Sequence, residues 1–388
     1  MLTGEDTIVK DSASEVSKIR VAHLVHSLGT GGMENGVVNL LNNIDPKTFS
    51  PYLITLRSGG ELHERVDLTK VKIIELNKKS GNDFALPLKL YTLNKKHRFH
   101  IMHTHSWGTL CEGIIAAKLA GCTGIVHGEH GTIQKKKGNR VIQRFFWNKA
   151  HQVLSVSKVH RTILADVIPY PIEKIKVIQN GVDVNKFSPS FNTSVFKKKF
   201  GLNEKNIVIG SVGRLEPVKN YPALIQAFSQ IRRTNPYVRL VFVGDGSRKA
   251  ELKKLVSTIG IEPDVLFLGS QSEVQNCIRA MDIFVLPSES EGLSNTLLES
   301  MSCGISVVAT KVGGNPELID KSSGVLVPPN NVDALVIALQ DLIENPSKRQ
   351  LLGKGARDRV TTMFSIQSMV KNYEDLYIKI CNKNRPNF

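Results

Sequence analysis

Short apolar runs alternate along nearly the whole chain with longer segments in which apolar residues return every three to four positions. That is the pattern of an α/β protein with parallel sheets, the runs giving strands and the longer period giving helices. The first unit is the clearest: Ile19–Val25 reads as a buried strand, His26–Gly32 as a tight glycine loop and Met33–Asn42 as the helix behind it. Strands are predicted again at Tyr52–Leu56, Lys72–Leu76, Ile101–His105, Ile125–Gly128, Gln152–Val156 and Lys176–Ile178, with helices at Leu86–Lys96, Trp107–Ala120, Asn139–Ala150 and Lys158–Asp166. A polar, basic connector, Asn185–Phe200, precedes a second series with strands at Ile207–Val212, Val238–Val243, Val265–Leu268, Ile283–Leu286, Ser306–Ala309 and Val325–Val327 and helices between them. Phe364–Ile380 is expected to be an amphipathic helix, with Met369, Tyr373, Leu376 and Ile380 at helical spacing. Two doubly wound domains in succession account for this order. Ligands of such sheets bind beyond the carboxyl ends of the strands, so two facing domains would hold one ligand in the cleft between them.

Composition adds limits. The chain has 388 residues, room for two domains with a core in each. At 41% hydrophobic and 22% charged residues it is neither disordered nor fibrous. No run approaches the ~18 apolar residues of a membrane-spanning helix. The first residues show no basic segment followed by an apolar one, so a cytoplasmic location is expected. Cys111, Cys122, Cys277, Cys303 and Cys381 are scattered and never in a CxxC, which fits reduced thiols better than disulfides or zinc.

Charge changes the picture more. Lys and Arg number 51 against 35 Asp and Glu, a formal charge of +16. A balance that basic implies nucleic acid, phosphorylated small molecules or an anionic membrane as company. The surplus is uneven: thirteen bases and two acids lie between Phe84 and Ala165. Gathered on one face, such bases gain about 1 kcal/mol each near an anionic leaflet. A membrane-surface role is therefore expected of the cluster, with a solvated basic face as the alternative.

The segment Pro287–Gly304 (PSESEGLSNTLLESMSCG) carries the richest chemistry. It follows an apolar strand and sets Glu291 and Glu299 eight positions apart. A wholly helical span would separate them by about 12 Å, wider than the ~5–9.5 Å of hydrolytic carboxylate pairs. Two acceptors so far apart suit the two ends of a long polyhydroxylated ligand, such as the sugar and the ribose of a nucleotide sugar. Between them, Gly292 opens a turn and the amides around Leu293, Ser294 and Asn295 offer an anion site for a diphosphate. Spacing alone leaves open an ordinary surface helix with two glutamates. The loop Gly213–Lys219 (GRLEPVK) follows a strand and offers Arg214 and Lys219 to a pyrophosphate, one as a fork and one as a point charge. Gly31 and Gly32 let backbone amides approach a ligand, although GTGG is not the dinucleotide fingerprint. His130, in GEHGT, ends a strand and is a candidate site residue or a structural one. His103 and His105 lack a carboxylate or cysteine at ligand spacing, and no metal site is expected there.

Together these residues resemble glycosyltransferase family 4, from Ile19 to Tyr377. The motifs run in the family's order: GTGG at 29–32, HTHS at 103–106, GEHGT at 128–132, VIQNGVD at 177–183, GRLEPVK at 213–219, VGDG at 243–246, EGLSNTLLE at 291–299 and GGNPE at 313–317. The resemblance implies a GT-B fold, two Rossmann-like domains facing across a cleft. Residues 1–187 would form the acceptor-side domain, 188–363 the nucleotide-sugar domain, and 364–388 a helix crossing back to the first. It implies retaining, metal-independent transfer from a UDP- or GDP-linked sugar, with no further cofactor. Glu291 would bind the sugar hydroxyls and Glu299 the ribose. Arg214 and Lys219, with amides near Gly32 and Leu293, would stabilise the leaving diphosphate, and His130 would sit beside the sugar. The family usually has an acidic residue before HTHS where this chain has Phe99 and His100, a departure expected to affect packing more than chemistry. The GTGGMENGVVNLLN start is similar to sugar transferases of bacterial exopolysaccharide, lipopolysaccharide or lipid-linked glycan assembly, whose acceptors lie on the inner face of the cytoplasmic membrane. The partners implied are thus a nucleoside-diphosphate sugar, a glycan or lipid-linked acceptor and an anionic membrane surface.

Two other readings compete. A basic nucleic-acid-binding protein would fit the charge, but aromatics are only 6% and no recognition motif occurs, so no nucleic acid is expected. A degenerate relative that binds a nucleotide sugar without catalysis would lack some donor-site residue, and none is missing.

Overall fold

The computed structural model describes Lys18–Asn384 apart from Thr30, Lys79, Ser80, Asn82, Thr132, Ile133, Lys135 and residues 190–192. Thr30 and Thr132, from two of the sequence motifs, and Lys135, from the basic cluster, therefore lie outside the described residues.

The first sheet contains β1 (Ile19–Val25), β2 (Phe49–Thr55), β3 (Lys72–Glu75), β4 (Ile101–His105), β5 (Gly124–Glu129), β6 (Gln152–Ser155) and β7 (Ile175–Val177). Their spatial order is β3-β2-β1-β4-β5-β6-β7, and the pairs from β3 through β5 are parallel. Five helices alternate with these strands: α1 (Gly32–Asn43), α2 (Leu86–His97), α3 (Trp107–Ala120), α4 (Lys137–Trp147) and α5 (Lys158–Val167). After α6 (Thr193–Lys199) the second sheet begins, with β8 (Ile207–Val212), β9 (Val238–Val243), β10 (Val265–Phe267), β11 (Ile283–Leu286), β12 (Ser306–Thr310) and β13 (Val325–Val327). It is parallel throughout, in the order β10-β9-β8-β11-β12-β13. Its helices are α7 (Tyr221–Arg232), α8 (Lys249–Ile259), α9 (Val274–Arg279), α10 (Asn295–Ser302), α11 (Asn315–Leu318), α12 (Val332–Glu344), α13 (Pro346–Met363) and α14 (Ile366–Asn384).

The central strands are buried on both faces, as parallel strands between helical layers must be: every residue of β4, β5, β11 and β12 is buried. Glycine ends two helices where a left-handed cap is required, Gly121 after α3 and Gly260 after α8, with φ of 76° and 77°. The core of the second sheet is built on β8, β9 and β11 against α7 and α12, with Phe228, Phe242 and Leu339 fully buried. The five cysteines form no disulfide. Burial pushes the Cys111, Cys122 and Cys277 thiols up to about 11 and Cys303 to about 12, so these four stay protonated at neutral pH. Among the described residues no helix is long and apolar enough to cross a membrane.

Packing groups the chain into two compact units that differ from a simple cut in sequence. One holds the chain up to Gly128, Val141–Val153 and the part of α14 from Tyr373; the other holds Glu129–Arg140 and Leu154–Asn372. Residues 154–187 were expected with the first domain. Their strands, the end of β6 and all of β7, do belong to the first sheet, but packing groups them with the second unit, to which they also bond: the Val159 amide and Gln179 both donate to Glu317, at 2.9 and 2.8 Å, and Val182 forms a parallel bridge with Ser365. The polar, basic connector Asn185–Phe200 contains α6. Its buried Lys197 donates to Asp282 and to the Asn206 carbonyl, both at 2.8 Å. Phe99 and His100 serve packing: Phe99 lies against Tyr52 and His97, and His100 Nδ1 accepts from the Arg20 amide at 2.9 Å.

Candidate functional site

In each sheet the strand order reverses at one place, between β1 and β4 and between β8 and β11. Loops leaving neighbouring strands there diverge and open a crevice at their carboxyl ends. In the second sheet those two loops are the ones that carry the predicted chemistry. Arg214 and Lys219 follow β8, and Glu291 follows β11.

The β8 loop is held from both sides. Gly213 donates to the Val243 carbonyl and Leu215, buried, donates to the Asp245 carbonyl, while the Arg248 amide returns a bond to Leu215. The Glu216 carboxylate accepts from the Ser247 amide and hydroxyl, at 3.0 and 2.7 Å, which holds its pKa below the ordinary carboxylate value. The VGDG segment after β9 is thus a buttress for this loop. It leaves Arg214 exposed and turns Lys219 towards the β11 loop.

There Lys219 Nζ donates to Glu291 Oε1 at 2.7 Å, and Ser288 Oγ donates to the same oxygen at 2.6 Å. Lys219 is 18% exposed and Glu291 10%, so the pair is shielded from water on most sides. Ser288 is fixed in turn: its carbonyl accepts from Thr310 Oγ1 at 2.6 Å. Glu291 stands in the loop, whereas Glu299 belongs to α10, so the two acids are on different elements.

Glycines let the surrounding backbones close in. A Cβ on Gly313 would stand 1.7 Å from the Glu291 carbonyl oxygen, and one on Gly292 would stand 3.2 Å from both Gly131 Cα and the His130 carbonyl. Gly314 donates to the Gly292 carbonyl at 2.9 Å. The loops carrying GEHGT, EGLSNTLLE and GGNPE therefore meet around Gly292, and this brings the His130 backbone to the Glu291 loop. At the start of α10 the Ser294 hydroxyl accepts from the Leu297 amide at 3.3 Å, and Asn180 Nδ2 holds the Asn295 side chain at 2.9 Å. Leu293 and Ser294 are buried, so an anion arriving at this turn would meet backbone amides and not their side chains.

Seven of the candidates are therefore brought together by the second unit's loops: Lys219, Glu291, Gly292, Leu293, Ser294, Asn295 and the backbone of His130. Gly31 and Gly32 belong to the first unit, at the start of α1. Gly31 is extended, at φ −129°, and the end of the flexible Glu34 side chain lies over it, where a Cβ would otherwise stand. That acid complements the helix N-terminus and would compete there with an anionic ligand.

Sequence reasoning missed Ser288, Asn180, Glu317 and His23. His23 on β1 pairs in register with His103 on β4, and with His105 they make the one cluster of three metal-capable side chains among the described residues, all buried. Four of their ring nitrogens are engaged with one another or with the last helix. His23 Nδ1 lies 3.0 Å from His105 Nε2, and the Tyr377 hydroxyl lies 2.8 Å from His103 Nδ1 and 3.1 Å from His23 Nε2. The register of neighbouring strands was the only signal that could have found His23.

Comparison with known proteins gives the family and the fold. A family model described as Glycosyltransferase Family 4 matches residues 30–186, and one described as Glycosyl transferases group 1 matches 192–359. An Escherichia coli UDP-Gal:α-D-GlcNAc-diphosphoundecaprenol α-1,3-galactosyltransferase is 30% identical over 93% of this chain and 97% of its own. A Campylobacter jejuni N-acetylgalactosamine-N,N'-diacetylbacillosaminyl-diphospho-undecaprenol 4-α-N-acetylgalactosaminyltransferase is 26% identical over 86% of this chain and 93% of its own. Among solved structures, Anabaena HepE in complex with UDP-glucose superposes with a TM-score of 0.81 at 22% identity, covering 93% of this chain and 99% of that one. A Rickettsia africae glycosyltransferase gives 0.84 at 22% identity, covering 94% and 98%. These likenesses show the fold to be GT-B.

Proposed function

Because this chain belongs to glycosyltransferase family 4, we propose that it is a retaining, metal-independent enzyme that moves a sugar from a UDP- or GDP-linked donor to a lipid-linked glycan acceptor in cell-surface polysaccharide synthesis. The observation that carries the proposal is the shielded Lys219–Glu291 pair at the β8/β11 reversal, with Arg214 on the same loop as Lys219. A donor diphosphate entering there gives Lys219 a second anionic partner. As Lys219 turns to the phosphate, Glu291 stays held by Ser288 and its oxygens are released to accept from sugar hydroxyls. Glu299, farther along α10, is the acceptor for the ribose.

The chemical step breaks the bond between the anomeric carbon and the diphosphate oxygen, and negative charge grows on that oxygen. Fixed cations and amides aimed at developing charge are usually the largest catalytic term, and Arg214, Lys219 and the amides before α10 supply them. Two side-chain cations at the leaving group do the work a divalent metal does elsewhere. His130 is assigned a place beside the sugar, and the acceptor hydroxyl attacks from the face the diphosphate leaves, passing its proton to the departing diphosphate oxygen. The lipid-linked acceptor is supported by the two relatives whose names specify diphosphoundecaprenol-linked substrates.

The test is transfer to an undecaprenyl-diphosphate-linked sugar, with the new linkage read by NMR. An α-linked donor is expected to give an α-linked product at a rate unchanged by EDTA. A β-linked product would end the retaining reading, and loss of activity in EDTA the metal-independent one.

A further inference from the structure

Helix α4 has its apolar residues on the wrong side for a soluble protein. Gln143 and Trp147, one turn apart, are 1% and 0% exposed and mark the face packed on the protein. Two positions away, about 200° round the helix, stand Val141 and Phe145, also one turn apart. Val141 is 70% exposed, Phe145 57% and the adjoining Ile142 44%. A helix packed on a sheet normally turns polar residues outward. This one presents valine, isoleucine and phenylalanine as a continuous stripe.

Bases border the stripe. Lys136, Lys137, Arg144 and Lys149 are exposed, Arg140 is partly so, and Lys149 Nζ lies 5.3 Å from the centre of the Phe145 ring. Between His130 and Ala165 the sequence has eight bases and no acid. An apolar stripe set in unopposed positive charge is the signature of a helix that lies in a bilayer interface, its apolar face among the acyl chains and its bases among anionic headgroups. A second copy is a poor occupant, since a symmetric contact would bring two such basic patches face to face.

We infer that α4 is a membrane-docking element, inserting Val141, Ile142 and Phe145 into an anionic bilayer while Lys137, Arg144 and Lys149 meet the headgroups. The inference deepens the reading of a lipid-linked acceptor and rests on it for purpose alone, because the stripe and its charges are there whatever the enzyme transfers. Docking through α4 would bring the enzyme to the surface in which such an acceptor is anchored.

Flotation of the full chain with vesicles of phosphatidylcholine containing 30% phosphatidylglycerol tests it. The wild type is expected to float with these vesicles and much less with phosphatidylcholine alone. Val141→Ser/Phe145→Ser should weaken partitioning at least tenfold, since each side chain gives up most of its buried apolar area. Arg144→Gln/Lys149→Gln should weaken it by about 25-fold, roughly fivefold for each charge removed. Val141, Arg144 and Phe145 are exposed on α4 and Lys149 is exposed just beyond it, so melting temperatures should hold. Failure of the wild type to float, or flotation of both variants like the wild type, overturns the inference. So does a wild-type dimer that the serine variant dissociates without any vesicle binding. Thermal shifts with nucleotide sugars on the same samples report the transferase reading separately, so the two can fail independently.

Discussion

Lys219→Ala is expected to lower turnover by about 10²–10³, the loss found when one preorganised donor to developing charge is removed. The ammonium stands 2.7 Å from Glu291 Oε1, at the carboxyl end of β8 where a diphosphate would enter. With the pair only 18% and 10% exposed, deleting the cation also leaves a shielded carboxylate without its ion partner, and a lower melting temperature should accompany the kinetic loss. Arg214→Ala separates the two effects. Arg214 is exposed, so its variant should melt like the wild type and still lose turnover by a similar factor. Steady-state rates and melting curves on both variants check this. Turnover near wild type in either would remove that residue from the phosphate grip.

Gly313→Ala should be nearly as damaging without touching any charged group. At φ +49° the position is left-handed, which costs an L-residue roughly 1–2 kcal/mol. The added methyl would also stand 1.7 Å from the Glu291 carbonyl oxygen, so one of the two loops must move. A displacement of about 1 Å at a positioning group costs about 10² in rate. The expected result is a fall of that order in kcat/KM together with a lower melting temperature, measured on purified variant and wild type. Wild-type kinetics would mean that the Glu291 loop is not held by this contact. Gly121→Ala, at a helix cap with nothing within 4 Å of the added carbon, is the control for left-handed strain alone.

Much of the fold was legible because parallel strands between two helical layers are nearly continuous apolar runs. Ile207–Val212, Val238–Val243 and Ile283–Leu286 have the predicted bounds for that reason. The amphipathic C-terminal segment was read from Met369, Tyr373, Leu376 and Ile380, all buried on α14. What escaped was set by partners distant in sequence. Helix α6 looks like a basic linker because the residue it buries is Lys197, made tolerable by Asp282. His23 joins His103 and Tyr377 across 80 and 354 positions only through strand order and a returning helix. In the site, Glu291, Arg214 and Lys219 were singled out as candidates by residue type together with their place after buried strands. Neither signal announced that Lys219 and Glu291 bind each other, nor that Ser288 orients the carboxylate. The excess charge between Phe84 and Ala165 was visible by counting, but exposure was needed to single out α4, because Val141 and Phe145 read in sequence like ordinary core positions.

The central claim is that the β8 and β11 loops grip a nucleoside-diphosphate sugar through Arg214, Lys219 and Glu291. Melting temperature measured against a panel of UDP- and GDP-linked sugars tests it most directly, on wild type and on Arg214→Ala. One donor should raise the wild-type melting temperature, and its shift should shrink markedly in the variant, whose unliganded melting temperature stays the same. A panel that moves the wild type not at all, or a shift that survives intact in Arg214→Ala, would contradict the account.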